Sequence, residues 1–269
     1  MKNLLTILLI LISFSVFGQK KMMKKAELAF AHYEKGEKYE ALLIFKELVK
    51  DYPKSEQYGR NLYNIPTIYQ EIDSTKMAIE WFMKVLNDKN LDDSEKDHSR
   101  GIFETNTNFK HYAAMNIGVI HYNNNNYSDA LNFYKLADIK YPYYNTSGTD
   151  LKLNKIKLAS NISDCYDKLN QTDSAIVVLL PHALTESPKA SNYASQKIIS
   201  LVKKYERENS FFKELDKSIN NLEIIDKGIR LNFYGIDVKV YPYFNEKLTK
   251  KHLKNTLFYK EINKAGNDG

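Results

Sequence analysis

The residues of this chain that could support catalysis or hold a metal are six histidines, one cysteine and a scattering of acids. Two histidines four residues apart on a helix are the simplest zinc pair, but no such pair and no H-E-x-x-H motif occurs. His111 and His121 are ten residues apart, which turns them roughly 80° from a shared helix face. We therefore predict no metal site. The histidines are His32, His98, His111, His121, His182 and His252.

Motifs for nucleophilic or phosphate chemistry are missing as well. The sequence has no G-x-S-x-G, no P-loop and no Rossmann glycine fingerprint. The adjacent acids Asp92 and Asp93 would point apart on a helix, so we interpret them as solubilising charge. Cys165 is the only cysteine, which excludes an intramolecular disulfide, and we predict a small buried apolar residue there. We expect a chain that is not an enzyme and needs no cofactor.

Helical hairpins are the elements that this sequence predicts most clearly. Gly118 is followed after twelve residues by Ala130, and Tyr134, Ala137 and Pro142 come four, seven and twelve residues later. This spacing places small residues where two packed helices approach most closely. The proline falls where the second helix must end, because it cannot donate the next backbone hydrogen bond.

The same offsets recur in other parts of the chain. Residues 22–53 repeat them from Ala41, and residues 57–88 repeat the offsets of four and seven from Ala78. The pattern resembles the tetratricopeptide repeat, a helix–turn–helix unit of 34 residues. The resemblance covers residues 22–186 in four repeats. It implies an all-α, right-handed solenoid of helical hairpins.

Two repeats depart from the pattern. In the second, Pro66 falls inside the first helix, which should kink or begin late. The pair Asp73-Ser74 is expected to cap the second helix, and Asp173-Ser174 repeats this pair in the fourth repeat, residues 151–186. Pro181 should end or kink the last helix of that repeat. The connection at residues 89–107 is long, and a short extra helix could run there from Asp92 to Phe103.

The C-terminal part changes character. Residues 187–227 are predicted to form a helical pair in which the repeat signature is nearly lost. Residues 228–269 then switch to alternating apolar positions, which predicts two strands that turn near Gly235, followed by a helix over residues 245–262. This small α+β tail is either a cap on the repeats or an interaction element, and we favour the cap because exposed repeat ends need covering.

The N-terminus has the composition of a secretory signal. Lys2 precedes an apolar run from Leu4 to Phe17, and small residues lead to a cleavage point after Gly18. We predict a cleaved signal at residues 1–18 and a mature chain that is periplasmic or secreted. The alternative is an uncleaved membrane anchor. No cysteine lies near the cleavage point, which argues against a lipoprotein, and no later segment predicts a membrane span.

Net charge is +6, and basic residues are mixed with acidic ones along most of the chain. The exception is a cluster at Lys20, Lys21, Lys24 and Lys25. It could contact anionic lipid or polymer, but we favour a solvated new N-terminus. The export signal and the lack of a binding motif argue against a nucleic-acid partner.

The resemblance also implies a binding surface, because the first helix of each repeat lines the concave groove of such arrays. A protein or peptide segment could bind there. The alternative is that the same aromatic stripe belongs to the core. The implied groove residues are Phe30, Tyr33, Tyr63, Thr67, Tyr112, Met115, Val119 and Tyr122, and the fourth repeat adds Ser160, Asp164 and Asp167.

The function that follows from the resemblance is an exported, non-catalytic protein–protein interaction scaffold of the bacterial cell envelope. The alternative is a periplasmic or secreted protein that binds a glycan or small ligand through its tyrosines and its one tryptophan. Trp81 lies beside the core position Phe82 in a second helix, so we expect it to pack.

Overall fold

The computed structural model describes residues 2–91, 108–145, 147–185, 193–242 and 247–267. The short helix predicted from Asp92 to Phe103 lies outside them, as does His98. The chain divides into two compact units, an N-terminal unit of residues 1–120 and a C-terminal unit of residues 121–269. Both are built mainly from helices, so the predicted all-α hairpin fold with a small α+β end is confirmed.

The N-terminal unit contains the first two predicted hairpins. Helices α1 and α2 pack together, as do α3 and α4, and α2 also packs on α3. A 3₁₀ turn at residues 89–91 follows, and α5 begins in this unit and ends in the next. The helices are α1 (Lys2–Glu34), α2 (Lys38–Asp51), α3 (Tyr58–Glu71), α4 (Thr75–Asn87) and α5 (Phe109–Asn123).

The same turn joins five successive helix pairs in the described residues. One residue in each turn has a left-handed backbone, with φ between +51° and +80°. The N–H of the residue after it donates to the carbonyl oxygen five residues earlier, at 2.8–3.0 Å, which satisfies the end of the preceding helix. The left-handed residues are Gly36, Asp73, Asn125, Asn170 and Glu206.

The core of each hairpin begins at a fixed distance in sequence from this turn. The residue five positions after the left-handed one is completely buried in all five cases, and four of the five are alanines. The predicted spacing is thereby confirmed, since the residues four and seven positions beyond Ala41, Ala78 and Ala130 are buried as well. The five first core residues are Ala41, Ala78, Ala130, Ala175 and Phe211.

Of the two predicted capping pairs, the first is confirmed only in the position of Ser74, and the second is wrong. Asp73 is the left-handed turn residue, and Ser74 takes the N-cap position of α4 without a side-chain cap hydrogen bond within the described residues. In the fourth repeat the turn is made by Asn170, so Asp173 and Ser174 already lie inside a helix. Asp73 and Asn170 occupy the turn position because Asp and Asn tolerate a left-handed backbone.

Pro66 lies inside α3, which neither begins late nor stops at the proline. Because a proline has no N–H, the carbonyl of Leu62 loses its usual donor one turn later, at a cost of about 3 kcal/mol. Pro66 is itself buried. The hydroxyl of Thr67 donates to the neighbouring carbonyl of Tyr63 at 3.0 Å.

The C-terminal unit continues with shorter helices. α6 packs on α7, and the predicted break at Pro181 is confirmed, because α8 ends at Val177 and α9 begins at Leu180 with the proline in its first turn. The helices are α6 (Tyr127–Ile139), α7 (Gly148–Lys168), α8 (Thr172–Val177), α9 (Leu180–Leu184), α10 (Tyr193–Lys204), α11 (Glu208–Asn220), α12 (Lys250–Lys254) and α13 (Leu257–Asn267).

A three-stranded antiparallel sheet of order β1-β2-β3 follows α11. The predicted hairpin is confirmed as β2 (Gly228–Phe233) and β3 (Ile236–Val240), which turn at Tyr234 and Gly235, both with positive φ. The strand β1 (Glu223–Ile225) was not predicted, since three residues give no alternating pattern. The predicted single helix near the C-terminus is instead the pair α12 and α13.

The tail forms one core with the last helix pair. The ring of Phe211 on α11 meets Phe233 on β2 at 5.4 Å and Phe258 on α13 at 6.3 Å between centroids, and all three are fully buried. Alternate residues of β2 and β3 face the same core. The tail therefore caps the fifth helix pair.

Candidate partner-binding face

The candidate face of the N-terminal unit consists of the predicted residues on α1, α3 and α5, namely Phe30, Tyr33, Tyr63, Thr67, Tyr112, Met115 and Val119. The structure brings α1 and α3 together around a pocket of about 120 Å³. We call this the α1–α3 pocket. Its lining residues are Phe30, Tyr33, Phe45, Asn64, Thr67 and Ile68.

Phe30 forms the exposed rim of the α1–α3 pocket. Its ring packs edge-on against Phe45, with 5.3 Å between centroids, yet 39% of the residue remains accessible to solvent. Phe45 is buried because it occupies the core position four residues after Ala41. The pocket therefore has an apolar floor fixed by the repeat and an apolar edge open to solvent.

Tyr33 ties α1 to the end of α3. Its hydroxyl donates to Oε1 of Glu71 at 2.6 Å, and this hydrogen bond, together with burial, raises the pKa of Tyr33. The Nζ of Lys38 lies 3.1 Å from Oε2 of the same carboxylate. The one acid linked to the pocket wall in the described residues is thus already paired.

Tyr63 is half-buried and acts mainly as a packing residue. Its ring lies between those of Phe82 at 5.7 Å, Phe109 at 5.3 Å and Tyr112 at 6.3 Å. Its hydroxyl accepts a hydrogen bond from Nδ2 of Asn116 at 2.7 Å. Burial raises the pKa of Tyr63. Tyr63 thus joins α3 to α5 and contributes little surface of its own.

The residues predicted on α5 are more accessible. Tyr112 is 39% and Val119 37% exposed, and Met115 between them is half-buried. Their spacing of three and seven residues places them on one face of the helix. Tyr112 contacts Tyr63, so the α5 residues adjoin the part of α3 that borders the pocket.

Asn64 and Asn116 take part in this face, although neither was predicted. The Nδ2 of Asn64 is buried and has no hydrogen-bond partner within the described residues. Asn116 instead bridges from α5 to Tyr63. Neither role has a signal in the sequence, because asparagine is common here and each role depends on a neighbour from another helix.

Tyr122, the last predicted residue, belongs to the C-terminal unit. Its ring packs edge-on against Tyr127 at 5.3 Å, and it is half-buried. Burial, followed by the charge of Asp164, raises its pKa.

The acidic surface predicted on α7 is neutralised by α10. The Nζ of Lys197 lies 2.6 Å from Oδ2 of Asp164 and also donates to the hydroxyl of Ser160 at 2.6 Å. Ser160 is itself buried, so it offers no surface to a ligand.

Asp167 is paired in the same way. Lys204 approaches it at 2.8 Å, and the hydroxyl of Tyr205 donates to it at 2.7 Å. Although burial raises the pKa of Asp167, the hydrogen bonds from Lys204 and Tyr205 outweigh it and hold that pKa below its usual value. The α7 acids therefore join two helices and do not form a free anionic site.

Trp81 is covered by cations. The Nζ of Lys84 lies 3.9 Å and that of Lys46 5.6 Å from its ring, and Lys46 also donates to the hydroxyl of Tyr69 at 2.7 Å. These contacts are cation–π interactions within the fold. Trp81 is half-buried, and the two lysines occupy part of its ring.

One lysine of the basic cluster near the N-terminus is paired with acids of the fold. Lys25 bridges α1 to α2 through Glu47 at 2.8 Å and Asp51 at 3.2 Å. Lys20, Lys21 and Lys24 are exposed. Within the described residues, no helix is both long and apolar enough to cross a membrane.

Catalytic chemistry finds little support in the described part of the chain. No group of three or more metal-binding side chains occurs there. Cys165 is fully buried, as predicted, and burial raises the pKa of its thiol to about 12. Burial and the nearby Lys155 and Lys152 lower the pKa of His182 to about 4, so it is neutral at pH 7.

Comparison with known proteins agrees with the repeat pattern. The family model for the tetratricopeptide repeat matches residues 27–55, which span the end of α1, the Gly36 turn and α2. A search among curated proteins found no match.

Several solved structures are similar at low identity. One is a tetratricopeptide repeat protein from Parabacteroides merdae, 14% identical, covering 75% of this chain and 68% of that one, with a TM-score of 0.49. Another is MamA from Desulfovibrio magneticus, 14% identical, covering 70% and 86%, with a TM-score of 0.43. These likenesses indicate nothing about function.

Tetratricopeptide repeats are generally non-catalytic scaffolds that bind protein partners. The family match over residues 27–55 and the recurrence of the same turn and core positions show that this chain contains helical hairpins of the tetratricopeptide-repeat type.

Proposed function

We propose that this chain is an exported, non-catalytic scaffold of the bacterial cell envelope and that its candidate face binds a segment of a partner protein. The α1–α3 pocket is the observation that carries this proposal. A pocket with an apolar floor and an aromatic rim is the kind of feature in which an interface buries its anchoring side chain. Phe30 and Tyr112 keep 39% of their surface each, and Val119 on the same face keeps 37%.

The alternative, a glycan-binding protein, has less support. The single indole is occupied by Lys84 and Lys46. The α7 carboxylates are also paired, so they are not free to accept sugar hydroxyls. The proposal for a protein partner therefore rests on surface that the fold leaves uncovered.

Affinity capture from bacterial envelope extract tests the proposal. The wild-type chain is compared with Phe30→Ala and Tyr112→Ala, and Tyr39→Ala is the matched control because Tyr39 is 66% exposed on α2, outside the candidate face. We expect one protein to be retained by the wild type and by Tyr39→Ala and lost with the other two variants. Equal retention by all four chains would show that the partner binds elsewhere. Retention of no protein, together with thermal stabilisation by a glycan, would favour the alternative.

Export needs a separate test. A C-terminally tagged full chain is expressed in a bacterium, and the cells are fractionated into cytoplasm, periplasm and membrane. We expect the tagged chain in the periplasm or medium, with an N-terminus near Gln19. An intact N-terminus in the membrane fraction would support the uncleaved anchor instead, and an intact chain in the cytoplasm would overturn export.

A further inference from the structure

The strand β1 is an open edge of the C-terminal sheet. It pairs with β2 on one side, and no strand of the described residues lies on its other side. Ile225 pairs with Gly228 across a two-residue turn. In an antiparallel hairpin of this kind, the next residue along the edge points its backbone N–H and C=O away from the neighbouring strand. That residue is Ile224, and within the described part of the chain its outward groups have no backbone partner. An additional strand binds to such groups.

The side chain of Ile224 is left uncovered on the core face of the sheet. Ile224 pairs with Ile229, and Ile229 pairs with Val240. Opposite residues of antiparallel strands lie on the same face, so the three side chains form one row. Ile229 and Val240 are 1% and 0% exposed, whereas Ile224 is 78% exposed. The apolar row of the sheet therefore ends in a side chain that the fold does not bury.

A pocket of about 330 Å³ lies beside this uncovered side chain. We call it the β1-edge pocket, and it is bounded by Ile224, the turn between β1 and β2, Pro242 and Leu248. Leu248 is buried and gives the pocket an apolar wall. An engineered cavity of about 150 Å³ holds one benzene molecule, so the β1-edge pocket has room for more than one side chain. A strand added to β1 would direct alternate side chains toward it.

The charge around the β1-edge pocket is mainly positive. Lys227 and Lys247 line it, and neither forms an ion pair with another described residue. Asp226 is the one acid of its lining within the described residues. The chain then continues through residues 247–264, which contain six lysines and a single glutamate. An occupant that carries carboxylates is therefore favoured over one that carries cations.

We propose that β1 binds an extended, acidic segment of a partner protein as a fourth strand of the C-terminal sheet. The segment pairs its backbone with Ile224 and places an apolar side chain in the β1-edge pocket. A carboxylate two residues away lies on the same face of that segment and approaches Lys227 and Lys247. A lipid surface would satisfy the lysines but not the outward backbone groups of Ile224. This site belongs to the C-terminal unit and does not depend on the candidate face of the N-terminal unit.

A short peptide tests the site without knowledge of the partner. The probe is acetyl-Glu-Thr-Ile-Thr-Glu-amide, in which the isoleucine and both glutamates share one face of a strand. One matched peptide has an N-methylated isoleucine, which cannot pair with an edge, and another has lysine in place of both glutamates. Each is titrated into the full chain, labelled with ²H and ¹⁵N, while the amide signal of Ile224 is followed by NMR. We expect the probe to shift that signal with a dissociation constant in the millimolar range, and both matched peptides to bind at least about tenfold more weakly.

Variants separate the backbone pairing from the charge. Ile224→Pro removes the outward N–H without removing a hydrogen bond to β2, so we expect it to weaken the probe about tenfold, measured at the amide of Ile225, whereas Ile224→Val should not. Glutamate at both Lys227 and Lys247 should weaken the probe about tenfold and tighten the lysine peptide by a similar factor. Lys239→Glu is the control for charge, because Lys239 is exposed on β3 at the other side of the sheet. Circular dichroism checks that each variant is folded.

Three results would overturn the proposal. Equal binding of the N-methylated peptide would show that no strand is added to β1. Equal binding of the lysine peptide, or a double-glutamate variant that binds the probe as the wild type does, would show that charge does not select the occupant. A shift of the Ile224 amide that grows with protein concentration in the absence of peptide would show that a second copy of the chain occupies the edge.

Discussion

Replacing Phe211 by alanine tests whether this residue is only a departure from the repeat pattern or joins the fifth helix pair to the cap. The four preceding pairs have alanine at the equivalent core position, so Phe211→Ala would restore the usual residue of the repeat. Substitutions toward a family's usual residue commonly stabilise a protein by about 0.5–2 kcal/mol. The structure predicts the opposite sign, because the ring joins the repeats to the cap.

The expected loss follows from what the ring contacts. Phe211 is fully buried and meets Phe233 and Phe258 edge-on. Truncation of a buried phenylalanine to alanine costs about 3–5 kcal/mol, and the two ring contacts place this site toward the upper part of that range. For a unit of this size, a loss of about 4 kcal/mol lowers the melting temperature by roughly 8–16 °C.

Thermal unfolding followed by calorimetry measures this loss, and amide hydrogen exchange locates it. Phe212→Ala is the matched control, because Phe212 is half-buried and, among the described residues, makes a single ring contact, with Tyr259 at 5.6 Å. It should cost about 1–2 kcal/mol. We expect Phe211→Ala to accelerate exchange in β2 and α13 in particular. A Phe211→Ala chain as stable as the wild type, or more stable, would refute the view that this residue joins cap and repeats.

Three further predictions concern single residues of the C-terminal unit. Gly228→Ala should destabilise this unit by about 2–4 kcal/mol in urea unfolding, because an added Cβ would lie 2.2 Å from the carbonyl oxygen of Val240. The control Gly148→Ala, with open space around the added Cβ, should be neutral or slightly stabilising. Asp167→Asn should reduce the loss of stability at acid pH. A carboxylate whose pKa is lowered by folding stabilises the fold above its unfolded pKa, and that contribution is lost as the pH falls through its folded pKa. An unchanged dependence of the free energy of unfolding on acid pH would contradict this. Cys165, with its thiol buried and its pKa raised to about 12, should resist a thiol reagent at pH 8 until urea unfolds the chain, and rapid labelling of the native protein would contradict its burial.

The helix pairs with small residues at fixed spacing could be predicted from the sequence. Alanine at the close-contact position and a large residue four positions later are local features, and Ala41, Ala78 and Ala130 each start such a pattern. The fifth pair was harder because Phe211 replaces the alanine. Its turn is also made by Glu206, a residue type that gives no signal for a left-handed backbone.

Contacts between helices limited what could be predicted about the site. The groove face of each first helix was taken from the family resemblance, and Phe30 and Tyr112 are exposed on that face. Spacing cannot tell which ring of a stripe is covered by the next helix, so Tyr63 was expected on the surface but packs between α3 and α5.

The partners of the charged residues could not be predicted from the sequence either. The acids of α7 were visible in the sequence, but their lysines come from α10, more than thirty residues later. Long side chains reach partners that depend on how the helices pack, which no local pattern specifies. The orphan amide of Asn64 is a property of the assembled pocket for the same reason.

Site-specific photo-crosslinking tests most directly whether the candidate face binds a partner. A benzophenone amino acid is placed at position 30, on the rim of the α1–α3 pocket, or at position 39, which is more exposed and lies on α2. After irradiation in living bacteria, we predict a crosslinked partner protein from Phe30 and none from Tyr39. Crosslinks of equal yield from both positions, or from position 39 alone, would contradict the claim that this face of the N-terminal unit holds the partner.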